Sequence, residues 1–283
     1  MIPVGFDYAR AKSVKDALNA LATGDCKLVA GGHSLIPMMR FRLAQPAKLV
    51  DVGGLEELKG IEAKGRGVRI GAGATYRDLL DSALLQEKYP LIIEATKGIA
   101  DTQVRNRGTI GGGLAHADPA SDMPAIMLAL GATFNLRSKT GKRSVEAKDF
   151  FQGAFVTAMK DDELLYDIVL PAPPKKSGMA YVSFEQKASG YAIAAAAAVV
   201  TKSRKTITGV TLALTGVGER SYLAEVPDVV GTHGEDAELD AALSAVADSQ
   251  IVNSDIHATA EYRAHLARVA AKRAIQKALE RAG

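Results

Sequence analysis

Apolar positions along the first 170 residues alternate between helical spacing and short strand-like runs. Val14, Ala17, Leu18 and Leu21 fall on one face of a helix for which Ser13 is the expected N-cap. Lys27-Leu28-Val29-Ala30 reads as a strand running into Gly31-Gly32, and 49–52 and 68–70 read as further strands. Thr75-Tyr76-Arg77-Asp78 opens a second helix with capping-type spacing, and 90–99 suits a third. The stretch 100–121 breaks the pattern: it holds five glycines or prolines and almost no periodic apolar face, which predicts an ordered functional loop. A helix over 122–130 and strands over 133–137 and 164–170 follow.

Pro171-Ala172-Pro173-Pro174-Lys175-Lys176-Ser177-Gly178 is the one clear linker, because its prolines forbid regular pairing. Beyond it come strand-like segments at 179–186, 192–200 and 206–215, then helices near 236–247 and 255–282. The pattern predicts an α+β protein with a larger N-terminal region, built of two lobes, and a smaller C-terminal domain.

Composition narrows the chemistry. The 283 residues include one cysteine, Cys26, so neither a disulfide nor an iron–sulfur cluster held by this chain alone is available. His33, His116, His233, His257 and His265 show no metal-ligand pairing at helical spacing. The net charge of +3 is too small to argue for nucleic acid. Residues 255–283 carry six basic against three acidic side chains, which reads as a solvated helix face or as a dock for an acidic partner. The longest apolar run, 191–200, spans half of the roughly 20 residues a membrane helix needs. The opening Met1-Ile2-Pro3-Val4-Gly5-Phe6-Asp7 lacks the layout of a secretory signal, so a cytoplasmic protein is expected.

Familiar phosphate motifs fail on inspection. Gly141-Lys142 is followed by Arg143, not Ser or Thr, and Gly71-Ala72-Gly73-Ala74-Thr75-Tyr76 has Tyr76 where a Rossmann fingerprint needs glycine. Two other clusters have better claims: Ala30-Gly31-Gly32-His33-Ser34-Leu35, directly after a strand, and Arg105-Asn106-Arg107-Gly108-Thr109-Ile110-Gly111-Gly112-Gly113. Each is either a tight turn or a loop whose convergent N–H groups, with hydroxyls such as Ser34 and Thr109, hold a pyrophosphate. Asp122 either caps the helix that follows it or accepts hydrogen bonds from a ribose. Tyr191 is either a half-buried tyrosine at a strand edge or an aromatic beside a cofactor.

Taken together, the Ala30–Pro37 segment and the run from Arg105 through Leu114-Ala115-His116-Ala117-Asp118-Pro119-Ala120-Ser121-Asp122 closely resemble the FAD-binding medium subunit of molybdenum hydroxylases. The branch is that of the aerobic carbon monoxide dehydrogenases, neighboured by xanthine dehydrogenases. The likeness continues through Phe150-Phe151-Gln152-Gly153, Glu163 to Pro171, Lys187 to Ala192 and Tyr262-Arg263 with Leu266, covering essentially the whole chain.

The resemblance implies an FAD-binding domain of the vanillyl-alcohol-oxidase (PCMH) type over 1–172, with a lobe boundary near 55–60. A linker over 173–178 and a sheet-plus-helices C-terminal domain over 179–283 would follow. It implies that Ala30, Gly31, Gly32, His33, Ser34 and Leu35 line the pyrophosphate with Thr109, Gly111 and Gly112, and that Val104 and His116 also contact the cofactor. Asp122 would hold the ribose or adenine side, and Leu165 and Ile168 would approach the flavin end. Lys187 and Tyr191 would reach in from the C-terminal domain, Tyr191 near the isoalloxazine. Ser189-Gly190 stands where many relatives have Gly-Asp.

The resemblance further implies an oxidoreductase complex: a small subunit with [2Fe–2S] clusters, a large molybdopterin subunit, and a dimer of heterotrimers. This chain would pass electrons to NAD, a quinone or oxygen. A self-contained FAD oxidase of the same superfold is the alternative.

Overall fold

A computed structural model describes residues 2–248 and 251–283; Met1, at the start of the expected FAD-binding region, and Ser249 and Gln250 lie outside the described residues. The first lobe is a three-stranded parallel sheet in the order Asp7–Arg10, Lys48–Asp51, Cys26–Val29. Helix Val14–Leu21 starts where Ser13 accepts a hydrogen bond from the Asp16 amide at 3.1 Å. Its face of Val14, Ala17, Leu18 and Leu21 packs with Val50, Val52, Leu55 and Leu58 in a small core that also takes in Leu164.

The second lobe is a five-stranded antiparallel sheet in the order Ile61–Lys64, Gly67–Gly71, Leu164–Leu170, Thr133–Arg137, Lys142–Glu146. The strand that comes last in the chain sits at the centre, so both ends of the lobe are tied into one sheet. Helix Tyr76–Asp81 begins with a reciprocal capping box between Thr75 and Asp78. Helices Pro90–Gly98 and Asp122–Ala129 pack into the same core.

The expected loop over 100–121 is a correction. It contains helix Thr102–Arg105, capped by Asp101, and helix Ile110–His116, capped by Thr109. The apolar periodicity is absent because three of that second helix's residues are glycines, Gly111 and Gly113 serving close packing and Gly112 facing the cleft, rather than good helix formers.

The third sheet is antiparallel, Ser177–Glu185, Ala192–Ser203, Thr206–Thr215, Tyr222–Ala224 in that order, with helix Ala260–Arg281 across one face. Regular structure thus resumes at Ser177, inside the segment read as linker. The alanine run is a strand buried on both sides. Ala194, Ala196 and Ala198 meet Ala267, Ala270, Ala271, Ala274 and Ala278 of the helix, while Ala195, Ala197 and Val199 join the core of the second lobe. Gly178 lets the helix approach, since a Cβ there would strike the Ala278 carbonyl.

The final helix starts at Ala260, not near 255, because Asp255 is used as an ion-pair partner of Arg263 at 2.7 Å. Likewise, the preceding helix stops at Ala242. The basic excess of this segment is taken up within the chain. Arg263 is 4% exposed and donates to the carbonyls of Ile193, Gly216 and Asn253 at 2.6, 2.7 and 3.0 Å. Lys272 pairs with Asp240 at 2.9 Å, and Lys277 and Arg281 meet Glu94 at 2.9 and 2.6 Å.

Candidate cofactor cleft

The two glycine clusters meet. Gly31 lies so close to the Arg107–Gly108 backbone that any Cβ would land on the Arg107 carbonyl, so this glycine permits loop-to-loop contact between the lobes. Gly111 abuts Ala72, and Gly113 abuts the Tyr76 hydroxyl. The second cluster is pinned further by Tyr76 N–H to Gly108 O at 3.0 Å and Ile110 N–H to Ala74 O at 2.9 Å. Thr109 Oγ1 accepts from the Gly112 amide at 3.2 Å, which leaves its hydroxyl hydrogen free to donate. Tyr76, the residue that spoils a Rossmann fingerprint, therefore has a structural reason: it is the wall against which the second glycine helix packs.

Between the loops opens a cleft of about 1160 Å³, above the roughly 300–1,000 Å³ of an ordinary small-molecule pocket. All of the anticipated site residues line it except Ile168 and Lys187. Ile168 is wholly buried between Ile70 and Phe134 in mid-sheet. The register shift between Leu165 and Asp167 keeps it on the core face, while Leu164 and Leu165, at the start of the strand, form part of the cleft wall. Lys187 stands exposed in the 186–191 loop. Within that loop Ser189 Oγ donates to Gln186 Oε1 at 2.5 Å and the Tyr191 amide donates back to Ser189 Oγ at 3.3 Å, so Tyr191 rather than Lys187 is presented to the cleft.

The donor set suits a diphosphate. Among the described residues, the five successive amides of Gly31, Gly32, His33, Ser34 and Leu35 donate to no protein acceptor. His33 Nδ1 lies 2.7 Å from Gly31 O and braces the turn, and Gly32 takes φ +73°, a conformation natural to glycine. Gly112 is exposed, and a Cβ there would meet nothing but the capping Thr109 hydroxyl at 2.8 Å. Consecutive unpartnered amides beside a Cβ-free surface are the chemistry an oxyanion needs, and the residues present fit the diphosphate of a flavin dinucleotide.

The far wall is aromatic and acidic. His116 stacks obliquely on Phe155, ring centroids 5.0 Å apart, and burial lowers its basicity although Asp118 opposes the shift. Asp122 is not the helix cap; Ser121 holds that position. Instead, Asp122 accepts a hydrogen bond from the Tyr181 hydroxyl, and burial pushes its carboxyl up to about 7. It shares this wall with Tyr76 and Tyr191, whose hydroxyls burial also makes less acidic. Asp122 and Tyr191, expected at opposite ends of the cofactor, are neighbours on this wall of the cleft. Tyr181 carried no motif, and Leu164, Phe155 and Glu163 are further wall residues that were given no contact with the cofactor from the sequence. Glu163 is held there by two bonds from Arg143, at 2.6 and 2.7 Å.

A two-lobed domain with a dinucleotide-sized cleft between glycine loops, closed at one end by a separate sheet, defines a flavin-binding architecture. Family comparison is consistent with this. Residues 4–173 match the FAD binding domain in molybdopterin dehydrogenase, and 179–278 match the CO dehydrogenase flavoprotein C-terminal domain. The chain is 42% identical to the carbon monoxide dehydrogenase medium chain of Afipia carboxidovorans, over 100% of this chain and 99% of that one. It is 36% identical to the nicotine 6-hydroxylase medium subunit of Paenarthrobacter nicotinovorans, over 96% of both. A crystal structure of the Cu,Mo-CO dehydrogenase superposes with a TM-score of 0.96 at 42% identity, covering 100% of both chains. The chain belongs to the FAD-binding medium subunits of the molybdenum hydroxylases, an oxidoreductase family.

Proposed function

We propose that this chain holds FAD in the cleft as the electron-relaying medium subunit of a cytoplasmic three-subunit hydroxylase. In this reading substrate is oxidised at a molybdopterin centre on a large partner subunit. [2Fe–2S] clusters on a small partner subunit feed electrons to this chain, and NAD, a quinone or oxygen removes them. Two such heterotrimers pair. The observation that carries the reading is the full-length correspondence with medium chains, joined to a cleft whose five successive amides are free. The solitary Cys26 supports placing the clusters on another polypeptide, since each needs about four thiolates. Among the described residues no helix is long and apolar enough to cross a membrane, and no group of His, Cys, Asp and Glu is placed to hold a metal ion.

Bound FAD supplies two-electron storage between one-electron donors and an acceptor. The residues of this chain bind and orient it. The amides of Gly31 to Leu35 and the Thr109 hydroxyl hold the diphosphate, with Gly111 and Gly112 giving it room. Leu43 and Pro46 of the first lobe also line the cleft. Tyr191, His116 and Leu165 face the isoalloxazine, and Val104 flanks it. Asp122 is assigned to this same end, since it lies with Tyr191. No side chain is required as a general base; region 1–172 holds the cofactor, and 179–283 closes the cleft.

Fluorescence titration of the purified chain with FAD tests the binding step, with one FAD per chain expected. A chain that takes up no FAD, or a metal-free chain that by itself oxidises an organic substrate, would overturn the reading.

A further inference from the structure

One buried contact joins the C-terminal sheet to the cleft. Tyr181, in strand Ser177–Glu185, donates its hydroxyl hydrogen to Oδ1 of Asp122, the first residue of helix Asp122–Ala129. Both residues are under 10% exposed. The phenol is positioned independently of the carboxyl. Tyr181 is registered opposite Ala197, and its amide donates to Glu94 Oε2 at 3.1 Å. Glu94 is in turn fixed by Arg281 and Lys277 at 2.6 and 2.9 Å.

The groups facing Asp122 are acidic or neutral. Glu185 comes from the strand of Tyr181; in the adjoining wall Asp118, from the loop before the helix, acts on Tyr191, and His116 ends helix Ile110–His116. Tyr76 and Tyr191 supply hydroxyls. Among the described residues no lysine or arginine acts on the carboxyl. Apart from a backbone amide, the Tyr181 hydroxyl is thus the donor available to its ionised form.

We propose that Tyr181 is a positioning residue that fixes the orientation and charge of the Asp122 carboxyl at the isoalloxazine end of the cleft, so that the C-terminal domain tunes the bound flavin. This rests on the FAD reading above. The physical argument is electrostatic. A carboxylate beside the flavin opposes the arrival of electrons, so its ionisation imposes a fall in flavin midpoint potential over the pH range where it titrates. A hydrogen bond to a charged group favours the charged form by a factor of about 10 to 100. Loss of the phenol hydroxyl therefore keeps the carboxyl protonated to higher pH.

The test is the midpoint potential of the FAD-loaded full chain against pH, in wild type, Tyr181→Phe and Asp122→Asn. Wild type is expected to show an inflection near pH 7. It moves up by about one pH unit or more in Tyr181→Phe and vanishes in Asp122→Asn. A second readout needs no flavin: the protonated-carboxyl infrared band lost in Asp122→Asn should persist to higher pH in Tyr181→Phe than in wild type. Superimposable curves for FAD-loaded wild type and Tyr181→Phe overturn this proposal alone. Wild type that takes up no FAD overturns the FAD reading, and this proposal with it.

Discussion

At the residue scale the cleft rests on positions whose value lies in what they omit or withhold. Gly31 and Gly112 look alike in sequence yet do different work. A Cβ on Gly31 collides with backbone of the opposite lobe, whereas one on Gly112 enters the cleft. Gly31→Ala should therefore lower both stability and FAD affinity, and Gly112→Val should abolish FAD retention while Tm changes by only a few degrees. Parallel melting and flavin-content measurements separate the two, and full flavin content in Gly112→Val contradicts the loop assignment. Asp122 gives a pH prediction. Its carboxyl sits at about 7 when folded against 3.8 ordinarily, so the folded state binds the extra proton and loses stability as pH rises between those values, by roughly 4 kcal/mol at most. Asp122→Asn should accordingly gain stability over wild type at pH 8 relative to pH 5 in urea titrations of the FAD-free chain. A pH-independent difference would show that the buried carboxyl carries no such penalty. The glycine loops were legible from sequence because backbone demands leave a residue signature. The Tyr181 contact was not, since a tyrosine alternating in a strand looks the same whether its hydroxyl meets a carboxyl or water.

At the scale of elements, period and capping chemistry predicted most of the fold. Ser13 and Thr75 cap as their spacing indicates. The alanine run is instructive, because alanine is the best helix former yet here builds a central strand. Small side chains on both faces let a helix on one side and the second lobe on the other approach closely, and packing overrides propensity. Sequence reasoning failed where glycine was used for packing inside a helix, in Ile110–His116, and where a charge was buried. Arg263 reads as one cation in a basic stretch, but it ties the carbonyls of strand residue Ile193 and loop residues Gly216 and Asn253 to Asp255. Arg263→Met should cost about 3–5 kcal/mol in urea unfolding. Arg263→Lys should recover only part, because an ammonium cannot reproduce the fork. A loss under 1 kcal/mol in Arg263→Met would mean that the carbonyls find other donors.

At the scale of the whole molecule, the C-terminal sheet is not an appendage. Met179, Tyr181, Ala195, Ala197 and Val199 are continuous with the second lobe's core. Glu94 locks the junction by accepting from Lys277, Arg281 and the Tyr181 amide, bonds that outweigh burial and hold its carboxyl below the usual range. Because its folded-state acidity is enhanced, that contribution is complete at neutral pH and fades as pH falls below the ordinary carboxylate range. Glu94→Gln should therefore destabilise the chain at pH 7 by about 1–2 kcal/mol and less at pH 4, as read from melts at the two pH values. Sequence alone carried the two-lobed plan and the family resemblance, but it could not show that one carboxylate on a helix would anchor both a distant strand and the last helix. The central claim, that this chain is the flavoprotein member of a molybdenum hydroxylase, meets its most direct test in the native complex purified from its source. Copurifying subunits with one FAD per chain, and molybdenum and iron at about 1:4 from one molybdenum centre and two [2Fe–2S] clusters, are the predicted result. A chain isolated alone and free of flavin, or one whose partners hold no molybdenum or iron, would contradict it.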